Sequence, residues 1–304
     1  MKELLNLQLM MFLLILIGLI LKKTKIVGKT GQKNITDMVI DLILPCNIVV
    51  SFMIDFSVKI LKNFAVILII SLVLQIFCVI LGGVLYRKCS PGRRKCLRYA
   101  TICSNAGFLG NPIAQGIYGN MGLTLASIYL IPQRIMMWSE GVSVFTEAPS
   151  KKEMLKKIFT HPCIIACEIG IILMLTGIRP PEFLDRTIVS VSNCNTAMSM
   201  LVIGMILADA DFRSLVDKDV LFYSVIRLLV IPFLVWLPCY LLRVDRLVTG
   251  VSVILAAMPA GATTSILASK YECDGEFAVK LVVFSTAVSL ITTPLWSMFL
   301  HSVL

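Results

Sequence analysis

Runs of about twenty apolar residues recur along almost the whole of this 304-residue chain, and each is long enough to cross a lipid bilayer. Hydrophobic residues make up 58% of the sequence and charged residues 15%, a balance more apolar than that of soluble domains. The segments between the runs are short and leave no room for a soluble domain of typical size. The sequence therefore predicts an all-α integral membrane protein.

We predict ten spans, which one polar segment, Glu147–Lys157, divides into two sets of five. The first set is Leu4–Leu21, Ile35–Ile54, Phe64–Tyr86, Leu97–Ile117 and Leu123–Phe145. The second set is Thr160–Gly177, Thr187–Ala208, Val220–Leu242, Leu247–Ala268 and Phe277–Phe299. The first run lacks a small-residue cleavage site and is followed by lysines, so it is expected to be a span rather than a signal peptide. The predicted repeats are 1–149 and 150–304.

The distribution of basic residues predicts the orientation in a cell membrane. With both termini outside, the inside loops hold 18 Lys and Arg and the outside segments hold 7. The same bias accounts for the net charge of +10, so no nucleic-acid partner is expected. Because each half has an odd number of spans, the second half enters the membrane upside down, which is typical of an inverted repeat.

The fourth and ninth spans occupy equivalent places in the two halves, and both are interrupted by proline and glycine. The interruptions are Ser104–Pro112 and Met258–Ser265. Proline removes a backbone donor, and broken backbone at bilayer depth is tolerated only where it is buried in protein or lines a wet cavity. A pair of such breaks points to the substrate site of a transporter. The alternative is a pair of locally repaired proline kinks.

Polar residues at or near these breaks are the candidates for substrate binding. They are Asn105, Asn111, Thr263, Thr264 and Ser265, joined by Gln133 and Arg134 in the fifth span. An arginine at bilayer depth is costly unless it faces protein or water, and its planar fork suits a carboxylate. Arg134 is therefore either a counter-charge for an anionic substrate, with Gln133 as hydrogen-bond partner, or a permanent partner of Glu140 or Glu168.

Acidic residues inside spans are candidates for carrying a coupling ion. Asp41 and Glu168 are two of these, and an ion pair or an interfacial position is the alternative for Asp41. Asp41 precedes Pro45 and Asn47 in the second span, and Asn195 lies in the equivalent seventh span. We expect these three polar or helix-breaking residues to support the site.

Several function classes are excluded by missing motifs. The chain lacks a phosphate-cradling loop, a nucleophile elbow and a zinc-protease motif, so no enzyme activity is expected. Its ten cysteines and two histidines have no ligand spacing, which predicts neither a metal site nor any cofactor.

The interrupted spans resemble the signatures of the auxin efflux carrier family. Asn105–Pro112 is similar to the motif of that family's fourth span, and Met258–Tyr271 to its ninth span and the following loop. Phe284–Leu295 is similar to its last span. The resemblance extends over essentially the whole chain.

This resemblance implies ten spans in two inverted repeats, an arrangement shared with bile-acid and sodium/proton carriers. It implies that the broken fourth and ninth helices cross at Pro112 and Pro259. It also implies a scaffold of spans one, two, six and seven beside a mobile transport unit of spans three to five and eight to ten. Asn105, Asn111, Pro112 and Pro259 match the crossover motif, and Gln133 matches a polar position near the substrate site. Arg134 matches no family pattern.

Family substrates are mostly organic anions, such as auxin in plants and malate or malonate in bacteria. The short central linker resembles bacterial members and favours a carrier of small mono- or dicarboxylates that works by an elevator movement. A sodium- or proton-coupled carrier of another solute on the same fold is the alternative, and a membrane sensor without transport is the third hypothesis. Family members often dimerise through the scaffold, so the expected partners are the substrate, the lipid bilayer and a second copy of the chain.

Overall fold

The computed structural model describes residues 2–54, 57–141, 143–145, 151–208 and 217–304, which are helical apart from turns, short irregular segments and one isolated antiparallel bridge. The helices are α1 (Lys2–Lys23), α2 (Lys29–Met38), α3 (Leu44–Ser51), α4 (Val58–Leu85), α5 (Pro91–Ile102), α6 (Asn111–Met136), α7 (Lys151–Phe159), α8 (Pro162–Thr176), α9 (Glu182–Ser192), α10 (Asn195–Ala208), α11 (Lys218–Val225), α12 (Ile231–Leu241), α13 (Arg246–Ala256), α14 (Thr263–Lys270) and α15 (Gly275–Val303). Four π-helical turns lie at Val39–Ile43, Ala106–Gly110, Met137–Gly141 and Ile226–Val230.

Side-chain caps fix where several helices begin. Asp274 accepts a hydrogen bond from the Phe277 backbone N–H at the start of α15, at 3.1 Å. Asp245 accepts one from the Leu247 N–H at the start of α13, at 3.0 Å. Each cap satisfies a donor that the first helical turn leaves free. The loops that carry these two acids therefore set the residues at which α13 and α15 begin.

The surface of α4 is apolar, as expected where a helix faces lipid. Ile69, Ile76 and Ile80 are exposed along one side, whereas Leu74 and Cys78 on the other side are buried in the protein. Exposed apolar residues in this number mark a surface that meets either a partner or a membrane. The apolar length of the helix favours the membrane.

Five helices of the described part are long and apolar enough to cross a bilayer, compared with the ten spans predicted. They are Lys29–Ser51, Val58–Leu85, Glu182–Ala208, Lys218–Leu241 and Gly275–Val303, and Pro162–Thr176 and Arg246–Ala256 are shorter apolar helices. The predicted fourth span divides at Cys103–Asn105, and the ninth divides between α13 and α14. These interruptions leave pieces that are too short to qualify by length.

The predicted fourth and fifth spans are divided by a kink inside α6, which consists of two helical pieces. Residues of the fifth span belong to α6, which begins at Asn111 and contains a bend at Gly119, where φ is +66°. A positive φ is costly for any residue with a side chain, and glycine adopts it freely. The glycine therefore allows the chain to turn between the end of the broken fourth span and the fifth.

The predicted linker Glu147–Lys157 contains the start of a helix. Its residues from Lys151 onward form α7, and residues 146–150 lie outside the described ranges. The position of the boundary between the two repeats therefore stays a prediction.

α1 and α10 approach each other until their backbones are in contact. A Cβ placed on Gly204 would overlap the Ile15 carbonyl, and one on Gly18 would overlap the Leu201 carbonyl. Small residues let membrane helices approach until their backbones touch. The resulting van der Waals contacts stabilise the helix pair, because lipid supplies no hydrophobic effect between helices. This contact fixes the first helix against the helix that contains Asn195.

Candidate functional site

The two interrupted segments lie side by side in the core of the protein. The Asn105 N–H donates to the Pro259 carbonyl at 2.8 Å, and the Gly261 N–H donates to the Cys103 carbonyl at 3.1 Å. Ser104 and Ala260 thereby form an antiparallel bridge. Each break supplies the partners that the other lacks, which satisfies backbone groups that neither water nor a continuous helix could satisfy. We call this paired structure, Cys103–Asn105 with Pro259–Gly261, the crossover.

Glycine is needed where the crossover is tightest. A Cβ on Gly261 would lie 3.0 Å from the Cys103 carbonyl oxygen, and one on Gly110 would lie 2.6 Å from Leu255 Cδ2. The first obstacle is backbone and cannot rotate away. The glycines noted in the sequence therefore allow the two broken helices to pass at backbone distance.

Gln133 holds one side of the crossover. Its Nε2 donates to the Ser104 carbonyl at 2.8 Å, and the Ser104 hydroxyl donates to its Oε1 at 3.0 Å. Gln133 was predicted as a hydrogen-bond partner of the substrate, but both ends of its amide are engaged by Ser104. In this conformation the side chain positions the broken segment.

Three further residues that fix the crossover were not predicted from the sequence. The Ser285 hydroxyl accepts from the Ala260 N–H at 3.2 Å, and the Tyr99 hydroxyl donates to Thr263 Oγ1 at 3.0 Å. Arg227 donates to backbone carbonyls at the ends of α5 and α13. Only Arg227 had a signal in the sequence, since a charge inside a span is unusual.

Two predicted site residues are buried polar groups without hydrogen-bond partners. Asn111 begins α6 and Thr264 is the second residue of α14, and both side chains are fully buried. Neither amide atom of Asn111 has a partner, and the Thr264 hydroxyl has none. Pro112 follows Asn111 in the first turn of α6, where a missing N–H costs nothing. Buried polar groups without partners beside the crossover are suited to bind a polar solute.

Arg134 is buried and does not form the ion pairs considered as its alternative role. Glu140 pairs with Arg98 at 3.4 Å, and Glu168 is exposed. Arg134 Nη1 is buried without a hydrogen-bond partner. Of the described residues, no carboxylate pairs with it, so its charge is not committed to a structural acid.

The predicted coupling-ion residues lie on the surface of the structure. Asp41, on the π-helical turn Val39–Ile43, is exposed, as is Glu168 on α8. Neither forms a hydrogen bond or an ion pair with another described residue. The structure therefore does not bring these two carboxylates to the crossover.

The residues predicted to support the site form a separate polar cluster. Asn195 Nδ2 donates to Asn47 Oδ1 at 3.0 Å, and Asn47 Nδ2 donates to Ser192 Oγ at 3.0 Å and Gln115 Oε1 at 3.2 Å. Pro45 lies in the first turn of α3, just before Asn47. This cluster joins the second and seventh predicted spans directly and links both to α6.

Two cavities flank the crossover segments. One of about 540 Å³ lies between α2 and the region of α14 and α15, and its lining includes Lys29, Lys33, Asp37, Ala262 and Ser265. A second, of about 250 Å³, lies among α1, α10 and α15 beside the π-helical turn Ala106–Gly110 and is mostly apolar. The surface of the first cavity is mostly apolar, and the cavity extends to Ala262, the residue that follows the crossover.

Comparison with known proteins agrees with the motifs. The model of the family described as membrane transport protein matches residues 5–297. An uncharacterized transporter of Methanothermobacter thermautotrophicus is 27% identical over 297 residues, which cover 94% of this chain and 95% of the relative. The uncharacterized transporter YfdV of Escherichia coli is 24% identical over 205 residues, or 62% of this chain and 63% of the relative.

A plant relative connects the chain to the family that the interrupted spans resemble. Auxin efflux carrier component 8 of Arabidopsis thaliana is 24% identical over 143 residues, which cover 45% of this chain and 39% of the relative. The predicted resemblance is thus confirmed, and the several apolar helices are those of a multi-pass membrane protein. Because the family model covers nearly the whole sequence, the chain belongs to the membrane transport protein family, that of the auxin efflux carriers.

Proposed function

We propose that this protein is a secondary transporter of small organic anions, such as malate or malonate, that works by alternating access. The observation that carries the proposal is the pairing of Asn105 with Pro259 across two interrupted helices. Such a break is stable in a membrane only if the surrounding protein repairs it, and the repair leaves helix ends pointing at a common centre. Two continuous helices would leave no free backbone groups to pair with each other in this way.

The preference for an anion is supported by the charges and dipoles around the crossover. The π-helical turn Ala106–Gly110 leads into α6, and α14 begins just beyond Gly261, so two helix N-terminal ends carry partial positive charge here. Asn111 and Thr264 offer buried polar atoms without partners at these ends. Arg134 adds a buried guanidinium whose fork suits a carboxylate.

The contacts between equivalent spans support an elevator movement of two inverted repeats. The antiparallel bridge between Ser104 and Ala260 pairs the fourth span with the ninth, and the bond between Asn47 and Asn195 pairs the second with the seventh. Residues at equivalent places in two inverted repeats would meet in this way near a twofold axis in the membrane plane. The bond from Asn47 to Gln115 joins the proposed scaffold to the proposed transport unit, so movement of one past the other must break it.

The larger cavity is the proposed route from one side of the membrane. Lys29 and Lys33 of α2 lie in its wall together with Asp37, and the predicted orientation places the two lysines on the inside of the membrane. Two lysines against one acid raise the local concentration of anions. The outside location of both termini, residence in the cell membrane and a homodimer through the scaffold remain part of this proposal.

The test is uptake of labelled malate and malonate into proteoliposomes. We expect the wild-type protein to transport at least one of them, and Asn111→Ala and Arg134→Ala to reduce uptake at least about tenfold, since each removes a group worth about 1.4 kcal/mol or more in binding. Asn193→Ala is the matched control, because Asn193 is exposed on the turn between α9 and α10.

Binding measured separately distinguishes a lost site from a lost fold. A thermal-shift panel of mono- and dicarboxylates identifies the ligands that stabilise the folded protein. Both variants should keep their melting profile without ligand and lose the ligand-induced shift. Normal uptake by both variants would remove these residues from the site, and no flux of any carboxylate would remove the substrate class.

A further inference from the structure

Arg227 is a buried cation whose partners are two backbone carbonyls and, at 4.0 Å, the Cys78 sulfur. It lies on the π-helical turn Ile226–Val230 between α11 and α12, and only 2% of its surface is exposed. Its Nε donates to the Met258 carbonyl at 2.9 Å, and its Nη1 donates to the Thr101 carbonyl at 3.2 Å. Of the described residues, no carboxylate forms an ion pair with it. A buried charge needs compensation, so the compensation must come from the backbone.

The two carbonyls belong to the ends of the two broken helices. Thr101 lies in the last turn of α5, and Met258 lies two residues beyond the end of α13. The C-terminal end of a helix carries about −0.5 elementary charge, so two ends together supply about −1. This sum matches the single positive charge of the guanidinium. Arg227 is therefore balanced electrically by the two helix ends that flank the crossover.

The neighbouring contacts support a fixed position for this side chain. Tyr223, one turn earlier, donates its hydroxyl to the Ala100 carbonyl at 2.9 Å, so the same helix reaches two carbonyls at the end of α5. A π-helical turn inserts an extra residue and changes the direction of the side chains that follow. The segment that carries Tyr223 and Arg227 therefore donates hydrogen bonds to two carbonyls at the end of α5 and to one just beyond the end of α13.

In carriers with broken helices, carbonyls and helix C-terminal ends are where coupling cations are coordinated. We propose that Arg227 is the resident cation of the crossover: it occupies the place of a coupling cation between the two C-terminal half-helix ends. Its charge holds the two broken helices together, and transport proceeds without sodium. The statement on transport rests on the proposed function, whereas the statement on the crossover does not.

Stability measurements test the role of the charge without any transport assay. We expect Arg227→Ala to melt about 5 °C or more below the wild type in detergent. Millimolar guanidinium should restore at least half of that loss, and urea, a neutral molecule of the same shape, should not. Arg186→Ala is the matched control, because Arg186 is 77% exposed in a surface pair with Glu182 and should show neither loss nor rescue. Equal rescue by urea, or no loss in Arg227→Ala, would overturn the proposal.

A second pair of variants decides the question if Arg227→Ala does not fold. Arg227→Lys keeps a cation near the carbonyls, and Arg227→Met keeps the volume without the charge. We expect only the lysine variant to give a monodisperse, folded protein. Equal yield and melting temperature of both variants would show that packing, not charge, is what the position requires.

Replacement of sodium by choline tests the consequence for transport. The melting temperature of the wild type, and its uptake of any transported anion, should be the same in either salt. A tenfold or larger drop in wild-type uptake without sodium would overturn sodium independence. If no carboxylate is transported at all, the proposed function fails, while the guanidinium and urea comparison still decides the role of Arg227.

Discussion

Substitution of Gln133 by leucine tests whether this residue positions the crossover. Leucine keeps most of the volume and removes both hydrogen bonds to Ser104, which is itself buried. An unpaired buried polar group costs about 1–3 kcal/mol. The Ser104 hydroxyl can rotate to another acceptor, but its carbonyl cannot move without disturbing the bridge to Ala260. We therefore expect a loss of about 2–3 kcal/mol, or a melting temperature lower by roughly 3–5 °C.

The assay is thermal unfolding of the purified protein in detergent, followed by intrinsic fluorescence. Ser127→Ala on the same helix is the matched control, because Ser127 is buried but its hydroxyl bonds only to Leu123 in the preceding turn. It should change the free energy of unfolding by less than about 0.5 kcal/mol. A double-mutant cycle of Gln133→Leu with Ser104→Ala should give a coupling of about 1 kcal/mol or more, since the two side chains are in direct contact.

Two results would refute this reasoning. Unchanged stability of Gln133→Leu would mean that the crossover does not depend on this clamp. Strictly additive effects in the cycle would mean that Gln133 and Ser104 act separately. A residue that only binds substrate would leave the ligand-free protein as stable as the wild type and reduce only the ligand-induced shift.

Two further predictions concern packing and thiol reactivity. Gly204→Ala should destabilise the protein by about 3 kcal/mol in the same unfolding assay, because its methyl group would overlap the Ile15 carbonyl. Gly83→Ala is the control: no heavy atom lies within 4 Å of the added Cβ, so this variant should be neutral or slightly stabilising. Equal effects of the two substitutions would contradict the close approach of α1 and α10. Burial and then the Asp219 carboxylate beside it raise the pKa of the Cys89 thiol, so its alkylation, measured by peptide mass spectrometry against denatured protein, should be slow at neutral pH and rise with pH. Asp219→Asn should speed that reaction several-fold at pH 8, and an unchanged rate would argue against the carboxylate's influence.

Much of the architecture could be predicted from the sequence because its signals are local. Apolar length predicts membrane spans, and the two interruptions stand out because proline and glycine are unfavourable inside a continuous helix. The motifs at Asn105–Pro112 and Met258–Tyr271 are sufficient to indicate the family to which the chain belongs. Counting spans also placed Asn47 and Asn195 in equivalent spans, although their hydrogen bond was not predicted.

The roles of individual side chains required the tertiary structure. In a soluble helix the apolar face predicts which side is buried, but lipid is as apolar as a protein core, so helices such as α4 carry no such signal. The sequence could not tell that Asp41 is exposed or that Gln133 is engaged by Ser104. It also could not tell that Arg227 donates to two helix ends. Every residue has a backbone carbonyl, so the sequence does not show which carbonyls are the partners.

The order of residues thus determined that this chain crosses a membrane with two matched breaks, since backbone that cannot be hydrated must be repaired wherever it is broken. Only the folded structure decided how that repair is made. Segments separated by about 150 residues supply each other's hydrogen bonds there, as the contact of Asn105 with Pro259 does. Which donor meets which carbonyl depends on the distance and direction between helices, and these are properties of packing rather than of local sequence.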